Sequence, residues 1–148
     1  MSLKKQLMDD LKSAMKNKDT IRKNTITLIR AAIKQKEVDE REEVSDEDVI
    51  SIISKQLKER RDSLEDFEMA NRDDLAENTR KEIDVLIDYL PKQLTEEEVG
   101  EIVSETINEL NATSMKDIGI IMKTVMPKVQ GRADGNMVNK KAREILNK

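Results

Sequence analysis

Apolar residues recur along this chain at spacings of three and four, the period that lines one face of an α-helix. Leu3, Leu7, Leu11 and Ala14 with Met15 predict a first helix from about Leu3 to Asn17. Asp19 or Thr20 can cap a second helix, in which Ile21, Thr25, Leu28 and Ala32 run beside a row of Ile26, Ile29 and Ile33. The pattern then dissolves into charge, and Lys34 to Val44 reads as a solvated helix end or a connecting loop. Ser45 and Asp48 make an S-x-x-D start ahead of Val49, Ile52, Ile53, Leu57, Leu64 and Phe67, so the third helix is long. Asn71 can cap a fourth, carrying Leu75, Thr79, Ile83, Leu86 and Leu90, with Tyr89 alongside and Pro91 as its stop.

A second, smaller set follows. Thr95 with Glu98 is a capping box for a fifth helix faced by Val99, Ile102, Val103, Ile107 and Leu110. After a polar break, Ser114 with Asp117 repeats the start signal for a sixth, with Ile118, Ile121, Met122 and Val125 inward. Met137, Val138, Ala142, Ile145 and Leu146 mark a seventh. The expected fold class is all-α, an antiparallel helical bundle over residues 1–93 followed by a small three-helix domain over 94–148.

Composition narrows the chemistry. The chain has no histidine and no cysteine, which removes the commonest acid–base group, thiol nucleophiles and most zinc sites. No catalytic residue, metal ligand or cofactor is expected. Carboxylate groups such as Asp73 with Asp74, or Glu96 to Glu98, sit at helix starts, where acids complement the helix dipole. No apolar run approaches a membrane span, so a cytoplasmic protein with no membrane partner is expected. Charge is strongly uneven: residues 1–36 carry net +7, residues 37–122 net −16 and residues 123–148 net +5. Both ends are basic, which suggests a polar partner surface.

The segment Met126 to Asn136, M-P-K-V-Q-G-R-A-D-G-N, concentrates two of the four glycines and one of the two prolines beside Lys128 and Arg132. Pro127 tends to end a helix, Gly131 can take a positive φ, and Asp134 with Gly135 can open the next helix. In isolation it reads as an interhelical turn. Its setting adds charge: Lys116, Gly119 and Lys123 share the polar face of the sixth helix, and Lys140, Lys141 and Arg143 that of the seventh. A glycine inside a helix costs roughly 1 kcal/mol against alanine, so Gly119 calls for a reason, whether close packing of another backbone or approach of a phosphate.

Several strings in order resemble one family: Arg61-Asp62-Ser63, Ala70 to Leu75 (A-N-R-D-D-L), Glu82-Ile83, Tyr89-Leu90-Pro91, Gln93-Leu94, Met126 to Val129 and Gly131 to Gly135. They look like the YqeY family, homologous to the C-terminal tail of the aspartyl/glutamyl-tRNA amidotransferase B subunit, over essentially the whole chain. The resemblance implies a helical bundle followed by a small irregular three-helix domain, and a role near tRNA. It departs at Asn71, where a glycine often precedes Arg72, and at Ile120, where a lysine commonly follows Gly119.

Three functions compete at this stage. The first is a non-catalytic module binding tRNA or another structured RNA through Lys116, Gly119, Lys123, Lys128, Gly131, Arg132, Lys140, Lys141 and Arg143. Such binding would rest on phosphates and shape, because one Tyr and one Phe leave no platform for stacking bases. The second is a protein-interaction module docking on an amidotransferase, a synthetase or another copy. The third is a carbon–nitrogen ligase using glutamine as nitrogen donor, a label that family membership can attach; no Gly-rich phosphate loop or Ser-rich amidase signature supports it. Oligomeric state is not legible from the chain.

Overall fold

A computed structural model describes residues 2–147, and among these every regular element is a helix, with no strand. The α-helices are α1 Leu3–Lys16, α2 Thr20–Glu40, α3 Asp46–Met69, α4 Asp73–Asp88, α5 Glu96–Leu110, α6 Ile118–Val125 and α7 Gly135–Leu146. Short 3-10 turns, Met115–Asp117 and Met126–Lys128, precede and follow α6. The chain divides between Leu90 and Pro91 into two compact units, each with its own core.

In the first unit, α1 packs on α2, and α3 and α4 run against each other, with α2 also packed on α4. Leu7, Ile26, Ile29, Val49, Ile53 and Leu86 are fully buried between them. Each contributes about 1.5–3 kcal/mol of apolar burial, so the period-3.6 stripes account for the bundle. Two stripe positions turn outward instead: Met15 is 56% exposed and Leu28 49%. The inner face of α2 is the narrower row of Thr25, Ile26, Ile29 and Ile33. Of the two readings of the charged run after Ile33, the solvated helix end holds as far as Glu40, by way of Lys36 to Glu40 at 3.5 Å, Gln35 to Asp39 at 2.9 Å and Lys4 to Glu37 at 2.7 Å, and the connecting loop is only residues 41–45.

Where glycine is absent, other residues make the joints. Asn71 does not cap α4. It sits at φ 55° as the left-handed residue ending α3, with its N–H on Glu68 O at 3.1 Å and that of Arg72 on Phe67 O at 2.9 Å. This is a Schellman closure, which gives the last carbonyls of α3 their donors. Asn is among the few non-glycine residues that tolerate this conformation, which accounts for its standing at this joint. Lys18 and Asn111 close α1 and α5 with the same pattern. The S-x-x-D and T-x-x-E starts all form: Ser45 with Asp48, Thr95 with Glu98 and Ser114 with Asp117 exchange bonds in both directions.

Polar ties close the first bundle. The Tyr89 hydroxyl donates to Asp10 at 2.5 Å, and the Arg22 guanidinium donates to Asp88 at 2.9 Å. Burial, reinforced by the bond to Asp10, pushes the Tyr89 phenol well above its ordinary range. The bond to Asp88, strengthened by Tyr89 nearby, raises that of Arg22. In the second unit α5, α6 and α7 pack pairwise around Val99, Val103, Ile121, Val125, Val129 and Val138.

Candidate nucleic-acid interface

The corner after α6 is built from backbone hydrogen bonds. α6 ends at Val125, two residues before Pro127, and the chain passes into a 3-10 turn. The missing N–H of Pro127 falls in the first turn of that 3-10 segment, where no donor is required, and Val129 N–H closes on Met126 O at 3.3 Å. Val129 is fully buried, and its carbonyl accepts both Arg132 N–H at 2.8 Å and Ala133 N–H at 3.1 Å. The reversal needs Gly131 at φ 77°, a conformation that a Cβ would strain. Asp134 then caps α7 through Met137 N–H at 2.8 Å.

The corner also holds the segment that leads into α5. Gln93 Nε2 donates to Gly131 O at 2.6 Å, Leu94 N–H to Arg132 O at 2.8 Å, and Arg132 Nε to Lys92 O at 3.3 Å. Arg132 and Lys92 lie close enough to Glu98 to help the Thr95 backbone and hydroxyl hold its carboxyl below the usual range. Gly131 is buried and Arg132 half-buried, so both serve the corner's architecture first.

The other expected cations separate into two kinds. Lys128 Nζ reaches Thr106 Oγ1 at 3.1 Å and Glu109 Oε2 at 3.4 Å, clamping the corner to the far half of α5. Lys141, largely covered, and Lys140 both face Glu96 at the start of α5, at 3.8 and 3.7 Å. Glu96 and Glu109 are about 20 Å apart along that helix, so these lysines mark its two ends and do not form one cluster. Arg143 is exposed, its Nε bonded to Asn139 at 2.6 Å.

Lys116 and Lys123 differ. Both are exposed, and among the described residues no carboxylate stands within ion-pair distance of either. Between them Gly119 is exposed, and a Cβ built there meets nothing within 4 Å. Packing of this chain therefore does not explain the glycine. Ile120 beside it stands 53% exposed. Lys123 lies on α6 and Lys140, Lys141 and Arg143 on α7 as their spacing indicates, but Lys116 falls in the 3-10 turn Met115–Asp117 ahead of α6 and not on that helix. Thr106, Glu109 and Glu96 as partners carry no sequence signal, because no local spacing marks a contact made across a tertiary fold. Among the described residues no group of three or more Asp or Glu side chains is arranged to hold a metal ion, and no helix is long and apolar enough to cross a membrane.

The molecule is thus an all-α protein of two helical units, whose smaller unit presents an open, lysine-flanked helix face beside a glycine corner. The family model described as Yqey-like protein matches residues 4–146, and the chain belongs to this family. It is similar to "Altered inheritance of mitochondria protein 41, mitochondrial" of Pyrenophora tritici-repentis, at 34% identity over 95% of this chain and 79% of that protein. The protein of the same name from Lachancea thermotolerans is 35% identical over 86% of this chain and 68% of its own length. These relatives correct the expectation of a cytoplasmic address, since they are named as mitochondrial. A chain without cysteine has no thiol for a compartment's redox state to act on, so its composition does not discriminate between compartments.

Proposed function

We propose that this protein is a non-catalytic accessory module that binds tRNA, or another structured RNA, through its second unit. The observation that carries this reading is the stretch from the 3-10 turn Met115–Asp117 into α6, where Lys116 and Lys123 are uncommitted and Gly119 is open to a group from outside the chain. A backbone without a side chain lets a phosphate approach closely, and two ammonium groups one helical step to either side supply its counter-charge. Lys140 and Arg143 extend the contact onto α7, their own links being exposed ones that cost little to exchange. Lys128 and Arg132 act chiefly by holding the corner. The resemblance to the amidotransferase tail supports tRNA as the RNA concerned.

Four phosphate contacts set the scale. With a slope of about −0.9 per contact on a duplex, raising salt from 50 to 200 mM weakens binding roughly 150-fold, and only about 12-fold if Lys116 and Lys123 are both removed. Anisotropy of labelled tRNA with the intact chain and with K116A/K123A measures both slopes. Binding indifferent to salt, or slopes that coincide for the two proteins, would end this reading.

A further inference from the structure

The first unit carries a second charged surface that the RNA reading does not use. α1 and α2 leave a groove of about 940 Å³ on their outer side, floored by Met8, Leu11 and Ile33 and rimmed by Lys5, Arg30 and Lys34. Met8 is 41% exposed there. Among the described residues no carboxylate lies within ion-pair distance of Lys5, Arg30 or Lys34. Two carboxylates also line it, Glu37, which is engaged by Lys4 at 2.7 Å and by Val44 N–H at 3.1 Å, and Glu43, against the cations Lys4, Lys5, Arg30 and Lys34. The groove is therefore apolar at its base and net positive at its lip.

We infer that this groove docks an acidic amphipathic helix of a partner protein. The apolar floor decides against a nucleic-acid backbone as occupant. Phosphates would satisfy the rim but leave methionine and leucine carbons against water, whereas a helix with apolar anchors covers them. Methionine adapts its shape to different anchors, a property common at surfaces that accept helices. The rim selects the sign of the flanking residues, since Asp or Glu beside the anchors finds uncommitted Lys and Arg, and a basic helix is repelled. Length follows from α1: the groove runs along it from Lys4 to Leu11, about 10 Å, room for some two turns with anchors at i, i+3 or i+4, and i+7.

Selection of 16-residue peptides displayed on phage against the intact chain, with R30E/K34E as the counter-selection, tests this. The enriched peptides are expected to carry apolar residues at that helical spacing flanked by Asp and Glu. A synthetic copy of the strongest should shift the ¹³C-methyl resonance of Met8 and bind R30E/K34E at least tenfold more weakly, with the far-ultraviolet circular dichroism of the variant unchanged. A scrambled peptide of identical charge should lose at least tenfold. The inference is overturned if no peptide is enriched over the counter-selection, if the enriched sequences lack acids, or if the scrambled peptide binds equally. It is equally overturned if an RNA hairpin, a phosphatidylserine vesicle or a second copy of the chain shifts the Met8 methyl while no peptide does. None of these outcomes bears on Lys116 and Lys123, so the two readings fail separately.

Discussion

Replacing Gly119 by alanine separates what the fold wants from what the proposed function wants. In the free protein the new methyl group points into open space, with nothing within 4 Å to resist it. Alanine removes backbone freedom from the unfolded chain and favours the helix, so the substitution should stabilise the second unit by about 0.5–1 kcal/mol. For a unit of this size that raises the midpoint of thermal unfolding by roughly 2–8 °C. On the proposed function, RNA meets the same methyl as an obstacle between Lys116 and Lys123. Loss of one charge-assisted backbone contact of about 1–2 kcal/mol weakens binding roughly five- to thirty-fold. Differential scanning calorimetry and tRNA anisotropy at one salt concentration give both numbers on one preparation. A variant that is destabilised would mean that the glycine serves packing after all. A variant that is stabilised and binds tRNA unchanged would remove Gly119 from the interface and with it the observation on which the RNA reading rests.

Three further outcomes follow from the joints and ties of the first unit. Asn71→Val should cost about 1–2 kcal/mol in urea unfolding, since a β-branched residue resists φ 55°, while Asn71→Gly should be neutral or stabilising. Tyr89→Phe should cost about 1.5–3 kcal/mol near neutral pH by deleting the bond to Asp10. Because the folded phenol has its pKa raised, the stability it lends is complete below the ordinary tyrosine range near 10 and drains away as pH climbs beyond it; the gap between wild type and Tyr89→Phe should close at high pH. Glu37 has the opposite sign. Lys4 first, and Val44 N–H second, hold its carboxyl below the usual range, so its contribution is full above about pH 4.5 and fades in more acid solution. The stability difference between wild type and Glu37→Gln should shrink accordingly in an acid titration followed by circular dichroism.

The periodic apolar stripes were enough to place the helices, because burying a stripe is what makes a helix stable in a bundle. The capping boxes were legible for a similar reason: Ser45 and Asp48, or Thr95 and Glu98, satisfy each other within four residues. Asn71 was ambiguous because an asparagine ahead of two aspartates suits both a helix start and a left-handed stop. Only the carbonyls of Glu68 and Phe67, waiting for donors at the end of α3, decide between them. The charge run after Lys34 left helix end and loop open because its stabilising pairs lie four residues apart, or on α1, in place of an apolar face. Of the candidate site, Lys123 and the α7 cations could be assigned to helices, Lys116 fell one turn short of the helix expected for it, and none could be assigned to a task. That Lys128 clamps α5 while Lys123 stays free depends on where Thr106 and Glu109 fall in space.

The bond from Tyr89 to Asp10 has a consequence for the order in which the molecule is made. It joins the first helix to a residue 79 positions later, next to the last of its unit, so the bundle can be fastened only once nearly all of that unit has been synthesised. The remaining residues, from Pro91 on, take several seconds to emerge at roughly 5–20 residues per second, whereas helical bundles close in microseconds to milliseconds. The first unit therefore has time to finish while the second is still being translated. A nascent chain arrested shortly before Tyr89 clears the ribosome would hold four helices without their fastener.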